Sequence, residues 1–156
     1  MAELNKPINE EEVEDMEKLI KVNDLEGYEV KNLDNDKLGK IEDIVIDYHN
    51  GVIAYGILSV GGFLGIGDDL YAIPWRALTL DPKEEKFILD ADKEKLKDAP
   101  SFKKERWPDM DKREWHTNIH TYYSMQPYWR FAGSMIDQDT QSKDKDPQPR
   151  MNDTYL

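Results

Sequence analysis

IEDIVIDYHNGVIAYGILSVGGFLGIGDDLYAIPW, from Ile41 to Trp75, decides how this chain folds. It holds two apolar runs, a tight turn, a glycine-rich loop and a third short strand. Asn50-Gly51 between two β-branched runs signals a hairpin, because a type I′ turn needs φ > 0 at both central positions and Asn and Gly tolerate that best. With those two residues as the loop, His49 pairs with Val52, Tyr48 with Ile53, Ile46 with Tyr55 and Ile44 with Ile57. Side-chain alternation then puts Ile44, Ile46, Tyr48, Ile53, Tyr55 and Ile57 on one apolar face, which is expected to form the core. The opposite face mixes Ile41, Val45, Val52, Leu58 and Val60 with Asp43, Asp47, Ala54 and Gly56. That is too apolar for a fully solvated antiparallel face, so a cover is expected over it. A one-residue slip would carry Asp43 and Asp47 into the core, against the cost of burying carboxylates.

Outward from this stretch, four segments are expected. Residues 1–22 form an arm and a helix over Glu10 to Val22, capped by Asn9 with Glu12 three residues on, and carrying a stripe of Val13, Met16, Leu19 and Ile20. Residues 23–92 hold the strands: Tyr28–Asn32, Leu38–Tyr48, Val52–Val60, Leu70–Trp75 with Leu78 and Leu80 extending it, and Lys86–Ala91. Asp34-Asn35-Asp36 makes a turn, and Pro74, lacking a ladder donor, belongs at an edge or a strand end. Short strands with turn signals between them predict a mainly β fold, a small antiparallel barrel or curled sheet. Residues 93–136 read as a helical, aromatic extension, with a short helix at Lys93–Lys97 and a longer one from Trp107-Pro108-Asp109 to about Tyr123. Residues 137–156 have the composition of a disordered tail.

Three of the four tryptophans, Trp107, Trp115 and Trp129, fall in that extension together with Tyr128. Such a cluster is too apolar for water, so it packs on the sheet, on a second copy or on a partner. The half-apolar outer face of the hairpin is the natural acceptor.

Composition narrows the function. Twenty-one Lys and Arg against 33 Asp and Glu give a formal net charge of −12, which opposes direct contact with nucleic acid or anionic lipid. No cysteine is present, so disulfides and thiolate metal sites are excluded. No apolar run reaches the roughly 18 residues of a membrane span and no secretory signal is visible, so a cytoplasmic location is expected.

The order Asp24-Leu25-Glu26-Gly27-Tyr28-Glu29-Val30, Leu38-Gly39-Lys40-Ile41-Glu42-Asp43, Gly51-Val52-Ile53-Ala54-Tyr55 and Ala72-Ile73-Pro74-Trp75 resembles the PRC-barrel domain. The resemblance covers about Asn23 to Asp92 and rests on the order and spacing of these pieces. Trp107-Pro108-Asp109-Met110 and Pro127-Tyr128-Trp129 resemble the extension of a bacterial stand-alone subgroup. The family includes the cytoplasmic domain of a photosynthetic reaction-centre subunit and the C-terminal domain of a ribosome maturation factor. The resemblance implies an interaction or regulatory module with no catalytic residue to carry over.

Other constellations are weaker. Gly62 and Gly67 have phosphate-loop spacing, but Asp68 and Asp69 follow where a lysine is needed, so nucleotide binding is set aside. Phe63, Leu64 and Ile66 on that loop are expected to make a contact, at a barrel end or with a second copy. His116 and His120, four apart on a predicted helix, have metal-ligand spacing. They lack the Glu of H-E-x-x-H, so a packed or surface pair is the better reading and metal the weaker one. Asp43, Asp47, Asp68 and Asp69 are expected to be solvated carboxylates rather than a cation site. No cofactor is implied. The expected function is a non-catalytic protein-interaction or regulatory module, not an enzyme, that self-associates as a homo-oligomer. The alternatives are a small-ligand or metal-binding protein, and a ribosome- or RNA-processing-associated factor by fold analogy.

Overall fold

A computed structural model of the chain describes Pro7, residues 19–61 and residues 67–130. Phe63, Leu64, Ile66, most of the expected N-terminal helix and the expected tail lie outside the described residues. The elements run α1 (Val22–Leu25), β1 (Glu29–Lys31), β2 (Lys37–Asp47), β3 (Val52–Val60), β4 (Asp69–Pro74), a 3-10 turn (Trp75–Ala77), β5 (Leu78–Asp81), β6 (Lys86–Leu89), α2 (Lys93–Lys97), β7 (Phe102–Lys103) and α3 (Arg113–Tyr122). The strands form one seven-stranded sheet in the order β5-β6-β1-β2-β3-β4-β7. The mainly β expectation holds. One pair departs from the antiparallel pattern: β1 runs parallel to β6, while the other neighbours are antiparallel. The end strands of the sheet, β5 and β7, do not pair with each other.

The hairpin differs from its expected register. Asp47 pairs with Val52, Ile46 with Ile53, Val45 with Tyr55, Ile44 with Gly56 and Asp43 with Ile57, with irregularities between Ile41 and Asp43 and between Val45 and Ile46. The cause is Asp47. Its Oδ1 accepts the Asn50 backbone N–H at 2.9 Å, its Oδ2 accepts the Asn50 amide at 2.8 Å, and its carbonyl accepts the Gly51 N–H at 2.8 Å. These bonds close a four-residue loop, Tyr48 to Gly51, in which only Gly51 has positive φ. A side-chain bond to the turn has displaced the two-residue alternative. Each irregularity resets the alternation of β2, as a bulge does. Ile46 is therefore 58% exposed and Tyr48 75% exposed instead of lying in the core, whereas Ile41, assigned to the outer face, is fully buried.

β3 is an interior strand between β2 and β4, and Ala54 to Ser59 are buried without a break. One side of it faces an apolar interior. A Cβ on Gly56 would lie 2.7 Å from Leu78 Cδ1 and 3.4 Å from Ile41 Cδ1, so Gly56 leaves room for both. Trp75 stacks edge-on to Phe87 at 5.5 Å, and Phe87 meets Tyr28 at 6.1 Å. At Gly39, where β2 crosses close to β3, a Cβ would lie 2.3 Å from the Ser59 carbonyl oxygen. Only glycine permits that backbone approach.

At the N-terminal side, Leu19 to Lys21 are not helical. Lys21 is extended at φ −76°, ψ 140° and precedes the short α1, and Leu19 is 76% exposed rather than docked. The expected helix from Trp107 starts later, at Arg113, because Asp109 Oδ1 accepts the Asp111 N–H at 3.0 Å and its carbonyl accepts the Lys112 N–H. That turn competes with the helix for the same donors. α3 ends in a Schellman-type cap. Ser124 stands at φ 55°, its N–H bonds the Thr121 carbonyl, and the Met125 N–H reaches back to the His120 carbonyl.

Candidate functional site: an aromatic interface on the outer face of strand β3

Alternation along β3 sends Tyr55 to the side opposite Gly56, and there the aromatic extension covers it. Tyr55 meets the rings of Trp115 at 5.3 Å, His116 at 5.6 Å, His120 at 5.5 Å and Tyr128 at 6.0 Å. The aromatic side chain read as interior is thus the anchor for the cover. Trp107, Trp115 and Tyr128 pack on the core of the same chain, Trp107 against Phe102 of β7 at 4.9 Å. Trp129 stacks edge-on to His116, His120 and Tyr128. α3 is placed by these rings, and Tyr122 ties it to α2 by donating its hydroxyl to the Lys95 carbonyl. α2 in turn is capped by Asp92, which accepts the Lys95 N–H at 2.7 Å.

Polar groups inside the interface are directed. The Met110 carbonyl can only accept, so His116 Nε2 donates to it at 2.6 Å. His116 Nδ1 then accepts the Tyr55 hydroxyl, also at 2.6 Å. His120 Nδ1 donates to the His116 carbonyl at 2.7 Å. Tyr128 donates its hydroxyl to Asp47 Oδ2 at 2.9 Å, which joins the extension to the hairpin loop. Burial raises the Tyr55 hydroxyl far above the phenolic range, and burial followed by the neighbouring Asp47 charge raises Tyr128. Burial pushes Asp47 up, but the bonds from Asn50, Tyr128 and the His49 backbone outweigh it and hold the carboxyl low. Burial lowers both histidines, against the Met110 carbonyl, Asp47 and Asp111 at His116 and against the His116 carbonyl at His120.

This arrangement does not suit metal ligation by the histidine pair. Both nitrogens of His116 are engaged, His120 Nδ1 is engaged, and His120 Nε2 is enclosed by rings. Among the described residues no three His, Cys, Asp or Glu groups come together for an ion. The four carboxylates considered as a cation set serve separate bonds: Asp43 with the Ile44 N–H, Asp47 with Asn50 and Tyr128, Asp68 with the Ser59 hydroxyl and Asp69 with Lys103. What sequence reading missed is Tyr55 and Asp47 as the sheet's two polar anchors. Asp47, three residues before Asn50, carried a turn signal that could have found one of them.

No helix among the described residues is long and apolar enough to cross a membrane. Comparison with curated proteins finds no match. Among solved structures, a putative 16S ribosomal RNA processing protein RimM from Pseudomonas aeruginosa is similar at 19% identity, over 50% of this chain and 48% of that one, with a TM-score of 0.34. The match thus spans about half of that protein, and at this score it carries no functional weight. The PRC-barrel domain model matches residues 17–96, which take in α1, the strands β1 to β6 and most of α2. With more than half of the chain matched, the chain belongs to the PRC-barrel domain family.

Proposed function

We propose that this protein is a non-catalytic interaction or regulatory module of the cytoplasm, in which the barrel-like sheet is the scaffold and the hairpin tip is the contact surface for a second copy. The observation that carries this reading is a contrast in how apolar groups are covered. The extension's rings are spent on the chain's own sheet, while Ile46 and Tyr48 stand out at the tip, 58% and 75% exposed. The polar groups that could do acid–base work, His116, His120, Tyr55 and Asp47, are committed to holding the extension. The test is sedimentation velocity on the full chain and on Ile46→Lys. A concentration-dependent dimer that Ile46→Lys dissociates is the expected result. A monomer at every concentration, without binding of an apolar dye, removes the self-association. The ribosome-associated alternative has only fold likeness behind it.

A further inference from the structure

The interface under α3 contains two histidines one helical turn apart, and the hydrogen bonds around them suit two neutral rings. His116 gives its one proton, on Nε2, to the Met110 carbonyl and uses Nδ1 as an acceptor for Tyr55. His120 gives its proton, on Nδ1, to the His116 carbonyl. Its Nε2 lone pair is fully buried with no hydrogen-bond partner, in a residue only 2% exposed, between the rings of Tyr55, Tyr128 and Trp129. A proton added to His116 Nδ1 would reverse that bond and leave the buried Tyr55 O–H to find another acceptor. A proton added to His120 Nε2 would put a charged N–H among rings with no acceptor, which is costly in a dry site.

The groups facing the pair are few. From the end of β2 comes Asp47, already taking bonds from Asn50 and Tyr128, and from the turn before α3 comes Asp111. Both carboxylates favour a charge on His116. From β3 comes the Tyr55 hydroxyl, from beyond α3 come Tyr128 and Trp129, and each histidine faces the other, so a charge on one opposes a charge on the second. Burial outweighs the carboxylates, and both rings take up protons less readily than an ordinary histidine. A folded-state value below the unfolded one gives stability that is complete above the ordinary histidine value of about 6.5 and is lost as the pH falls below it. Among the described residues, Ile41, Leu78, Trp75 and Phe87 on the other side of β3 carry no titratable group.

We propose that α3 and the Tyr128–Trp129 segment form an acid-sensitive strap: protonation of His120 and His116 releases it from the sheet and uncovers the apolar face that carries Tyr55 and Ile57. The release is local, because the apolar interior on the other side of β3 is unaffected by the proton.

The experiment follows the full chain from about pH 8 to about pH 5, the range in which an unperturbed histidine changes charge. Near-ultraviolet circular dichroism reads the rings, far-ultraviolet circular dichroism reads the sheet, and an apolar dye reads the uncovered face. The expected result is a reversible loss of the near-ultraviolet signal with dye binding and a retained sheet signal, absent from this range in His116→Gln/His120→Leu. An unchanged near-ultraviolet signal down to the acid end overturns the proposal. So does loss of the sheet at the same midpoint, which is global unfolding, or the same midpoint in the double variant, which assigns the change to carboxylates. Should that variant fail to fold, ring-proton titration by NMR on the natural chain decides. Proton uptake by both rings together with the near-ultraviolet loss supports the strap, and a histidine titrating at or above its ordinary value overturns it.

Discussion

The two sides of β3 solve the same problem by different means. Toward Gly56 the strand meets Ile41, Leu78, Trp75 and Phe87, where packing is set by shape and the gain is non-directional burial. Toward Tyr55 it meets Trp115, His116, His120 and Tyr128, where rings pack around hydrogen bonds with fixed donors and acceptors. The first side responds to volume. The second also responds to where protons sit, so a chain can keep the first while surrendering the second.

The sharpest break of this comparison is truncation on each side. Phe87→Ala, in a fully buried interior position, is expected to cost about 3–5 kcal/mol by urea unfolding. Trp115→Ala, half-buried in the outer interface, should cost less, about 2 kcal/mol, with the far-ultraviolet spectrum kept. Equal losses for the two would show that strap and interior are one cooperative unit. Next comes Gly56→Val, which overfills the interior against Leu78 and should cost about 2 kcal/mol without changing the ring environment of Trp115. Tyr55→Phe keeps the ring contacts and deletes only the donor to His116 Nδ1. It should cost about 1–2 kcal/mol, read as a shift in urea midpoint, all of it from the outer side. Smallest is Ser124→Gly, which relieves a left-handed residue at the end of α3 and should add about 0.5–1 kcal/mol of stability, measured by thermal unfolding.

Much of the sheet was legible in the sequence because alternation and turn residues are local signals. β3 falls on Val52–Val60 as read, and β2 and β6 fall within one or two residues at each end; β4 covers Leu70–Pro74 as read, but Leu78 and Leu80 do not extend it and lie in β5 at the far edge of the sheet. Pro74 ends β4, and Phe87 and Leu89 point inward as their spacing implied. The hairpin register was not legible, because it turns on one side chain. Asp47 captures Asn50, lengthens the loop and, with the irregularities in β2, exchanges the fates of Ile41 and Ile46. The parallel pairing of β1 with β6 joins segments far apart in the chain, and periodicity holds no record of such partners. In the site, the apolar excess of the extension announced that it needed a cover. That His116 would meet Tyr55, and Tyr128 meet Asp47, is set by tertiary docking across 61 and 81 positions of sequence.

One short element changes how the molecule should be cut. β7, only Phe102–Lys103, pairs with Asp69 and Leu70 of β4 beyond the end of the matched family region, and Lys103 adds an ion pair to Asp69. A fragment stopped at the family boundary would leave that rim of β4 with open backbone donors and acceptors, an invitation to pair with a stranger. The practical boundary of this domain therefore lies past Lys103, and shorter fragments should precipitate or exchange strands with one another before they report on anything else.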